Sequence, residues 1–281
     1  MQSKGGVGRR LRRIYRQGLR TPVQLALVGV RRRLPTPRMH PHFLVVGAQK
    51  SGTTTLWFFL MQHALAVVPL RKEIHYFDEH YGRGMDWYTA HFPVERVGAI
   101  TGESTPYYLF HPDVARRISK DLPGAKIIVL LRNPVKRAYS HFQHEIDMGT
   151  ERRGARHALL TSLEAARRDP SGDDLIGQPA HQHRTYIQRG VYHIQLTRYL
   201  AHFPSEQLLV VSTEALAGER SETLARVAHF LGIDEWEPAN TESRNTRSYP
   251  PLDPEIDAEL RLFYEPHNQR LYDLLGQDYG W

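Results

Sequence analysis

Hydrophobic positions from Phe43 onward form short continuous runs that alternate with longer amphipathic stretches. The runs lack a period of two and lie at 43–47, around 66–68, 98–102, 126–131 and 207–212. Such runs are typical of strands buried on both faces of a parallel sheet. Helical periodicity predicts helices at 53–63, 112–120, 135–146, 157–168, 191–201, 221–231 and 254–275. This alternation predicts an α/β fold with three layers, α/β/α, around a central parallel sheet.

The pattern also divides the chain into a main domain and an appendage. Residues 41–281 carry the alternation and are predicted to form one domain, whereas residues 1–40 do not carry it. Residues 147–188 are polar and punctuated by glycine and proline, which predicts an insertion with one helix over the sheet edge or the active site.

The charge of the chain is concentrated in residues 1–40. They contain eleven Lys and Arg residues and no Asp or Glu, although the whole chain carries a net charge of +7. The remainder has 26 basic and 30 acidic side chains, so no nucleic-acid binding is expected of the main domain. The favoured interpretation of residues 1–40 is a solvated, partly helical arm. The alternative is an arm that lies on an anionic membrane surface as a peripheral contact.

Cysteine is absent from the chain, which excludes disulfides and thiolate metal sites. No apolar run approaches the roughly 20 residues that a membrane span requires. We therefore expect a reducing compartment and a cytoplasmic location, with the arm as the part that could contact a membrane.

The first candidate site follows the run 43–47, where a glycine-containing turn enters a helix. A helix N-terminus after such a turn binds phosphate through backbone N–H groups, and Lys50 adds a positive charge. The lysine of a P-loop NTPase follows the second glycine, but Lys50 precedes Gly52. Such an enzyme also needs an aspartate for Mg²⁺ after a second strand, and the run 126–131 ends instead at Arg132. The sequence predicts a phosphate site that functions without a metal, with an ATP-dependent phosphotransferase as the alternative.

Two further groups of residues are candidates for the same site. Arg132 and Ser140 could hold a second phosphate, although each alone could be a structural residue. The segment from Lys72 to Asp78 is rich in titratable groups, and Glu73 and His75 would share a face of an extended segment. Glu73 is therefore a candidate general base, and the alternative is a solvated loop with a Lys72–Glu73 ion pair.

Five motifs in a fixed order resemble a known family. They are, in chain order, Gln49 to Thr54, Lys72 to Asp78, Gly84 to Tyr88, Gly102 to Tyr108 and Leu131 to Ser140. The chain resembles the sulfotransferases that use 3′-phosphoadenosine 5′-phosphosulfate (PAPS), and most closely the branch containing heparan sulfate N- and 3-O-sulfotransferases. The resemblance covers roughly residues 42–281 and implies a P-loop NTPase-like fold.

The resemblance implies a binding site for PAPS as co-substrate. The residues implied to hold the 5′-phosphosulfate are Lys50, Ser51, Gly52, Thr53, Thr54 and Thr55, with Lys50 acting on the leaving group. Arg132 and Ser140 match the 3′-phosphate site. The loop that closes on this phosphate is matched by Arg247, Ser248 and Tyr249, but Asn245 and Thr246 stand where the glycan enzymes usually have Lys-Gly.

The resemblance also implies the acceptor chemistry. Glu73 matches the catalytic base, His75 matches an assisting catalytic residue, and the acceptor is contacted by Lys72, His75 and Asp78. The implied reaction is sulfuryl transfer, without a metal, to a hydroxyl or amine of a carbohydrate or glycolipid. A non-catalytic nucleotide- or glycan-binding protein is the remaining alternative, and the retained Lys50 and Glu73 argue against it. Ser104 replaces a lysine of the 3-O enzymes, which predicts a less anionic acceptor than heparan sulfate.

Overall fold

A four-stranded parallel sheet forms the centre of the molecule in a computed structural model, which describes residues 24–242 and 249–281. The strands are β1 (Phe43–Gly47), β2 (Gly102–Glu103), β3 (Lys126–Leu131) and β4 (Leu208–Ser212), in the order β2-β1-β3-β4. The predicted strand around 66–68 provides only an isolated bridge between Ala66 and Ile100. The chain leaves the sheet there because Pro69 has no N–H and Leu70 donates to His91 instead.

Eleven α-helices are found in the described residues, counting the short ones. They are α1 (24–31), α2 (Thr53–Leu60), α3 (Met85–Thr89), α4 (Val114–Asp121), α5 (Pro134–Met148), α6 (Ala155–Arg168), α7 (Pro179–His183), α8 (Tyr192–Leu200), α9 (Thr213–Gly218), α10 (Arg220–Leu231) and α11 (Pro254–Leu275). Each of the seven predicted helices is present, with bounds that shift by three residues at most. The segment 147–188 contains the two helices α6 and α7 rather than the single helix predicted there.

Apolar side chains cover the sheet on both faces, which confirms the three-layer prediction. Leu44, Val46 and Val129 pack on one face together with α4 and α8. Val45 and Leu130 pack on the other face with α2 and α10. Because neighbouring strand residues point to opposite faces, the continuous apolar runs were the correct signal for a sheet covered twice.

A third apolar cluster lies beside the sheet rather than on it. It joins α5, α6 and α11 through buried residues that include Phe142, Leu163 and Leu260. Residues 147–188 are therefore an integral part of the domain, since α6 contributes part of this core.

Residues 24–39 lie against the main domain. Gln24 Nε2 donates to the carbonyl of Leu70 at 3.0 Å, and Arg38 forms an antiparallel bridge with Val94. Val28 is buried in the first core cluster. The domain boundary at residue 40 stays a prediction, and the earlier part of the arm falls outside the described residues. No helix within the described ranges is both long and apolar enough to cross a membrane.

Candidate active site

The loop after β1 has a backbone that only certain residues can form. A Cβ added at Gly47 would lie 2.5 Å from the Cβ of Leu109, so the strand end packs too closely for a side chain. Lys50 and Gly52 have φ values of 70° and 84° and therefore lie in the left-handed region. Gly52 is also the N-cap of α2 and offers no side chain to cap its N–H groups. The N-terminus of α2 is thus a suitable donor site for an external anion.

The end of β3 lies directly beside this loop. Arg132 Nη1 donates to the carbonyl of Lys50 at 3.0 Å, and the buried Tyr192 donates its hydroxyl to the carbonyl of Arg132 at 2.8 Å. The N-terminus of α5 is already capped by Asn133, whose side chain accepts from two N–H groups. An anion at this position must therefore be bound by side chains, and Arg132 and Ser140 are available for it.

A cavity of about 610 Å³ joins these elements at the carboxyl ends of the strands. Ten of the predicted site residues line it: Lys50, Gly52, Thr53, Thr54, Thr55, Glu73, His75, Arg132, Ser140 and Tyr249. Ser51 is buried beside the loop, and Lys72 and Asp78 contact lining residues without lining the cavity themselves. Arg247 and Ser248 lie outside the described residues. The structure brings most of the predicted residues together, and their roles remain predictions.

Glu73 lies between two cationic side chains at the wall of this cavity. Lys72 Nζ donates to Glu73 Oε1 at 2.9 Å, so the ion pair left open by the sequence is present. His75 Nε2 lies 3.7 Å from Glu73 Oε2 on the other side. The opposite imidazole nitrogen, Nδ1, lies 2.7 Å from the buried carboxylate of Asp78. Asp78 therefore orients His75, and His75 faces Glu73.

The charges of this group determine its protonation states. Burial alone would raise the pKa of Glu73, but the contacts with His75 and Lys72 outweigh it and lower the pKa to about 2. Burial alone would lower the pKa of His75, but the bonds to Asp78 and Glu73 raise it to about 10. At neutral pH the carboxylate is thus ionised and the imidazole carries its proton.

Arg189 is a residue of the site to which the sequence assigned no role. The guanidinium is buried and lies 4.8 Å from the ring centre of Tyr107. It donates to the side chain of Gln49 in the phosphate loop and to the carbonyl of Gln182 at 2.6 Å. Arg189 therefore ties the loop after β1 to α7. Nothing in the local sequence shows what a buried arginine at this position contacts.

One wall of the cavity was missed by the sequence entirely. It is formed by Phe59, Thr213, Leu216, Ala217 and Arg220. Thr213 Oγ1 donates to the carbonyl of Ser51 at 2.7 Å, and the Arg220 guanidinium lies 5.9 Å from the ring centre of Phe59. Phe59 belongs to α2, whereas the other four residues follow β4 in the chain. The two groups are far apart in the sequence, and they meet because the strand order places β1 and β4 on either side of β3. We name this group the β4-side wall.

The facing wall comes from the end of α5 and from α7. Its members are His144, Glu145, Met148, Thr150, Gln182 and His183. Most of them belong to or adjoin the polar segment 147–188, for which the sequence predicted a position at the sheet edge or over the active site. We name this group the α5–α7 wall.

Comparisons with known proteins agree with this geometry. The model of the sulfotransferase domain family matches residues 40–249. The chain is 32% identical to human heparan sulfate glucosamine 3-O-sulfotransferase 6, over 88% of this chain and 75% of that protein. It is 27% identical to the membrane-associated sulfotransferase kil1 of Dictyostelium discoideum, over 86% and 66% of the respective chains. A sulfotransferase structure from Alicyclobacillus acidocaldarius superposes with a TM-score of 0.72 and 30% identity, over 85% and 97% of the chains. The chain thus spans between 66% and 75% of the length of these two curated relatives.

Proposed function

The chain belongs to the PAPS-dependent sulfotransferase family, in its heparan sulfate branch, and we propose that it transfers sulfuryl groups from PAPS to a carbohydrate or glycolipid acceptor. The observation that carries the proposal is a single cavity lined by Lys50, Arg132, Ser140 and Glu73. It offers two separate anion sites and, on the same cavity, an ionised carboxylate.

The residues that line the cavity have the charges and hydrogen-bond donors that suit PAPS. The uncapped N-terminus of α2 and Lys50 suit the 5′-phosphosulfate, and Arg132 with Ser140 suits the 3′-phosphate. Burial lowers the pKa of Arg132, yet the guanidinium stays a cation at neutral pH because the ordinary pKa of arginine lies far above 7. The β4-side wall supplies the apolar and cationic surface that an adenine ring prefers.

Each proposed role follows from the chemistry of sulfuryl transfer. Bound PAPS supplies an activated sulfur whose bond to the bridging phosphate oxygen breaks as the acceptor oxygen or nitrogen attacks. Lys50 stabilises the negative charge that develops on that oxygen. Glu73 takes the proton of the acceptor atom. This proton becomes strongly acidic once the acceptor atom bonds to sulfur. A carboxylate with a pKa of about 2 is therefore a sufficient base for this step.

An ATP-dependent phosphotransferase is the weaker alternative. Such an enzyme uses an aspartate at the end of a neighbouring strand to hold Mg²⁺, and β3 leads into Arg132 at that place. A cation there favours a nucleotide with a 3′-phosphate over a metal-bound triphosphate.

Donor binding tests the proposal directly. Calorimetric titration is expected to show tighter binding of adenosine 3′,5′-bisphosphate than of ATP with Mg²⁺, followed by transfer of labelled sulfate from PAPS to glycan acceptors. The Arg132→Ala variant should lose at least about tenfold in affinity for the bisphosphate and less for adenosine 5′-phosphate, because only the bisphosphate carries the 3′-phosphate that Arg132 is proposed to bind. Tighter binding of ATP with Mg²⁺ would overturn the assignment.

We also infer a membrane-facing surface around α1. Exposed apolar side chains lie on residues 24–34 (Leu25, Leu27, Val30, Leu34) and on the segments beneath them (Val68, Val94). Three consecutive arginines, 31–33, lie between Val30 and Leu34, so the surface combines apolar area with positive charge. This combination suits the interface of an anionic bilayer. The cytoplasmic location expected from the sequence stays a prediction.

Vesicle co-sedimentation of the full chain tests this surface. We expect binding to vesicles that contain phosphatidylserine, and a loss of several-fold when Val30→Ser and Leu34→Ser are combined. The control is Leu262→Ser, which removes an even more exposed leucine from α11. Equal binding of the double variant and the control would contradict the inference.

A further inference from the structure

The segment that carries the proposed base turns sharply at His75. Its φ of 57° lies in the left-handed region, which costs free energy for a residue with a side chain. The carbonyl of His75 accepts from the N–H of His80 at 3.0 Å and closes the turn. This conformation places the imidazole Nδ1 2.7 Å from Asp78 Oδ2 and Nε2 3.7 Å from Glu73 Oε2. A strained backbone persists only where its surroundings hold it, so the groups that hold this turn also determine the surroundings of Glu73.

The hydroxyl of Tyr108 holds the first part of the turn. It accepts from the N–H of Tyr76 at 2.8 Å and from the N–H of Phe77 at 3.3 Å. The first of these N–H groups belongs to the peptide that directly follows His75. Tyr108 is fully buried, and its carbonyl accepts from the hydroxyl of the buried Tyr199 at 3.0 Å. Loss of the Tyr108 hydroxyl would therefore leave two buried N–H groups without this acceptor, which is a costly state.

The guanidinium of Arg117, on α4, holds the second part of the turn. Its Nη1 donates to the carbonyl of Phe77 at 2.6 Å and lies 3.4 Å from the carbonyl of Asp78. The same guanidinium lies 4.8 Å from the ring centre of Tyr81, and its Nη2 lies 3.1 Å from Asp113 Oδ2. The N–H groups of the turn are thus held by the chain after β2, and its carbonyls are held by α4.

The charges around His75 make its protonation a measure of this turn. Burial alone would lower the pKa of His75, but Asp78, Glu73 and Glu79 of the same segment outweigh it and raise the pKa to about 10. The fully buried Glu103 faces His75 from β2, and burial raises the pKa of its carboxyl to about 8, so this group is mostly uncharged at pH 7. Any change that moves the imidazole away from the ionised carboxylates lowers its pKa.

We propose that Tyr108 and Arg117 are positioning residues, which hold the turn after His75 so that its imidazole stays between Asp78 and Glu73. This inference rests on the proposed role of Glu73 as base. Once the turn relaxes, the Glu73 carboxylate loses a cationic partner that fixes its orientation. Because proton transfer requires the base within hydrogen-bond distance of the acceptor atom, we expect a loss of kcat without a loss of donor binding.

Two substitutions in the full chain test the two contacts separately, each with a matched control. Tyr108→Phe removes the hydroxyl and keeps the ring. Its control is Tyr264→Phe, which removes an equally buried hydroxyl that donates to the carbonyl of Ile187 at 2.7 Å in the third apolar cluster. Arg117→Met removes the guanidinium and keeps an unbranched apolar side chain. Its control is Arg116→Met, which changes the preceding residue of α4, an exposed arginine.

NMR titration of the imidazole groups reports on the turn without any sulfate transfer. The signal of His75 among the sixteen histidines is identified by its absence from the spectrum of His75→Gln. In the unaltered chain and both controls, we expect His75 to remain protonated through pH 8. In Tyr108→Phe and Arg117→Met its pKa should fall to about 8 or lower, towards the ordinary value near 6.5. In these two variants kcat with labelled PAPS should fall about tenfold, while the affinity for adenosine 3′,5′-bisphosphate stays within about twofold.

The titration decides the inference even where activity cannot. A His75 that titrates alike in the unaltered chain and in both test variants would overturn it, whatever the activities. So would a lowered pKa of His75 with kcat unchanged, since the turn would then not position the base. If Tyr108→Phe does not fold, Arg117→Met and its control decide the outcome. An unaltered chain that transfers no sulfate would refute the proposed function, and the titration would still show whether the two residues hold the turn.

Discussion

Sulfuryl transfer by the Glu73→Gln variant is expected to fall by about 10²–10⁴-fold in kcat, while the affinity for adenosine 3′,5′-bisphosphate changes little. Glutamine has the shape of glutamate and can still accept the hydrogen bond from Lys72, but it cannot take a proton from the acceptor. The donor is proposed to bind through Lys50 and Arg132, which the substitution leaves in place. Steady-state kinetics with labelled PAPS and calorimetry with the bisphosphate measure the two effects separately.

A matched control distinguishes loss of the base from a general loss of charge. Glu206→Gln changes a carboxylate in the turn before β4, at the opposite edge of the sheet, and should retain the activity of the unaltered chain. Turnover of Glu73→Gln within about threefold of that control would contradict the role of Glu73 as base. An equal loss of bisphosphate affinity would instead indicate that Glu73 supports the donor site.

The sequence was informative about the fold wherever burial on two faces left a continuous apolar run. The strands at 43–47 and 126–131 were predicted with their exact bounds because both lie in the middle of the sheet. The runs around 66–68 and 98–102 contain similar residues but lie at the edge, where Pro69 removes a donor. Apolar content alone does not distinguish an edge segment from a central strand. The difference depends on which other segments of the chain form hydrogen bonds with it.

The candidate site shows the same limit. Residues next to a strand end, such as Lys50 and Arg132, could be placed because the carboxyl ends of parallel strands meet at one edge. Arg220 and Glu145 could not be placed, since each is one of several similar charges on a helix and reaches the cavity only through tertiary packing. Glu145 is also buried, which a charged residue near the end of the predicted helix 135–146 does not reveal.

The Lys50→Ala variant is expected to lose both rate and donor affinity, with a fall of about 10²–10³-fold in kcat. Lys50 is proposed to stabilise charge on the leaving phosphate oxygen, so its effect is larger in the transition state than in the bound donor complex. The bisphosphate should bind at least about tenfold more weakly, because a unit charge at the 5′ end is lost. Lys120→Ala, an exposed position at the end of α4, serves as the control. Wild-type kcat with weakened binding alone would restrict Lys50 to ground-state binding.

Because the backbone at Lys50 is strained, two substitutions at this position can separate the effect of the lost charge from the effect of the loop conformation. Its φ of 70° costs a residue with a Cβ about 1–3 kcal/mol, and lysine and alanine incur this cost equally. Glycine adopts the same conformation without that strain. We therefore expect Lys50→Gly and Lys50→Ala to lose activity to the same extent, while Lys50→Gly unfolds at a temperature at least as high as Lys50→Ala. Recovery of activity in Lys50→Gly alone would show that the loop conformation, and not the ammonium charge, sets the rate.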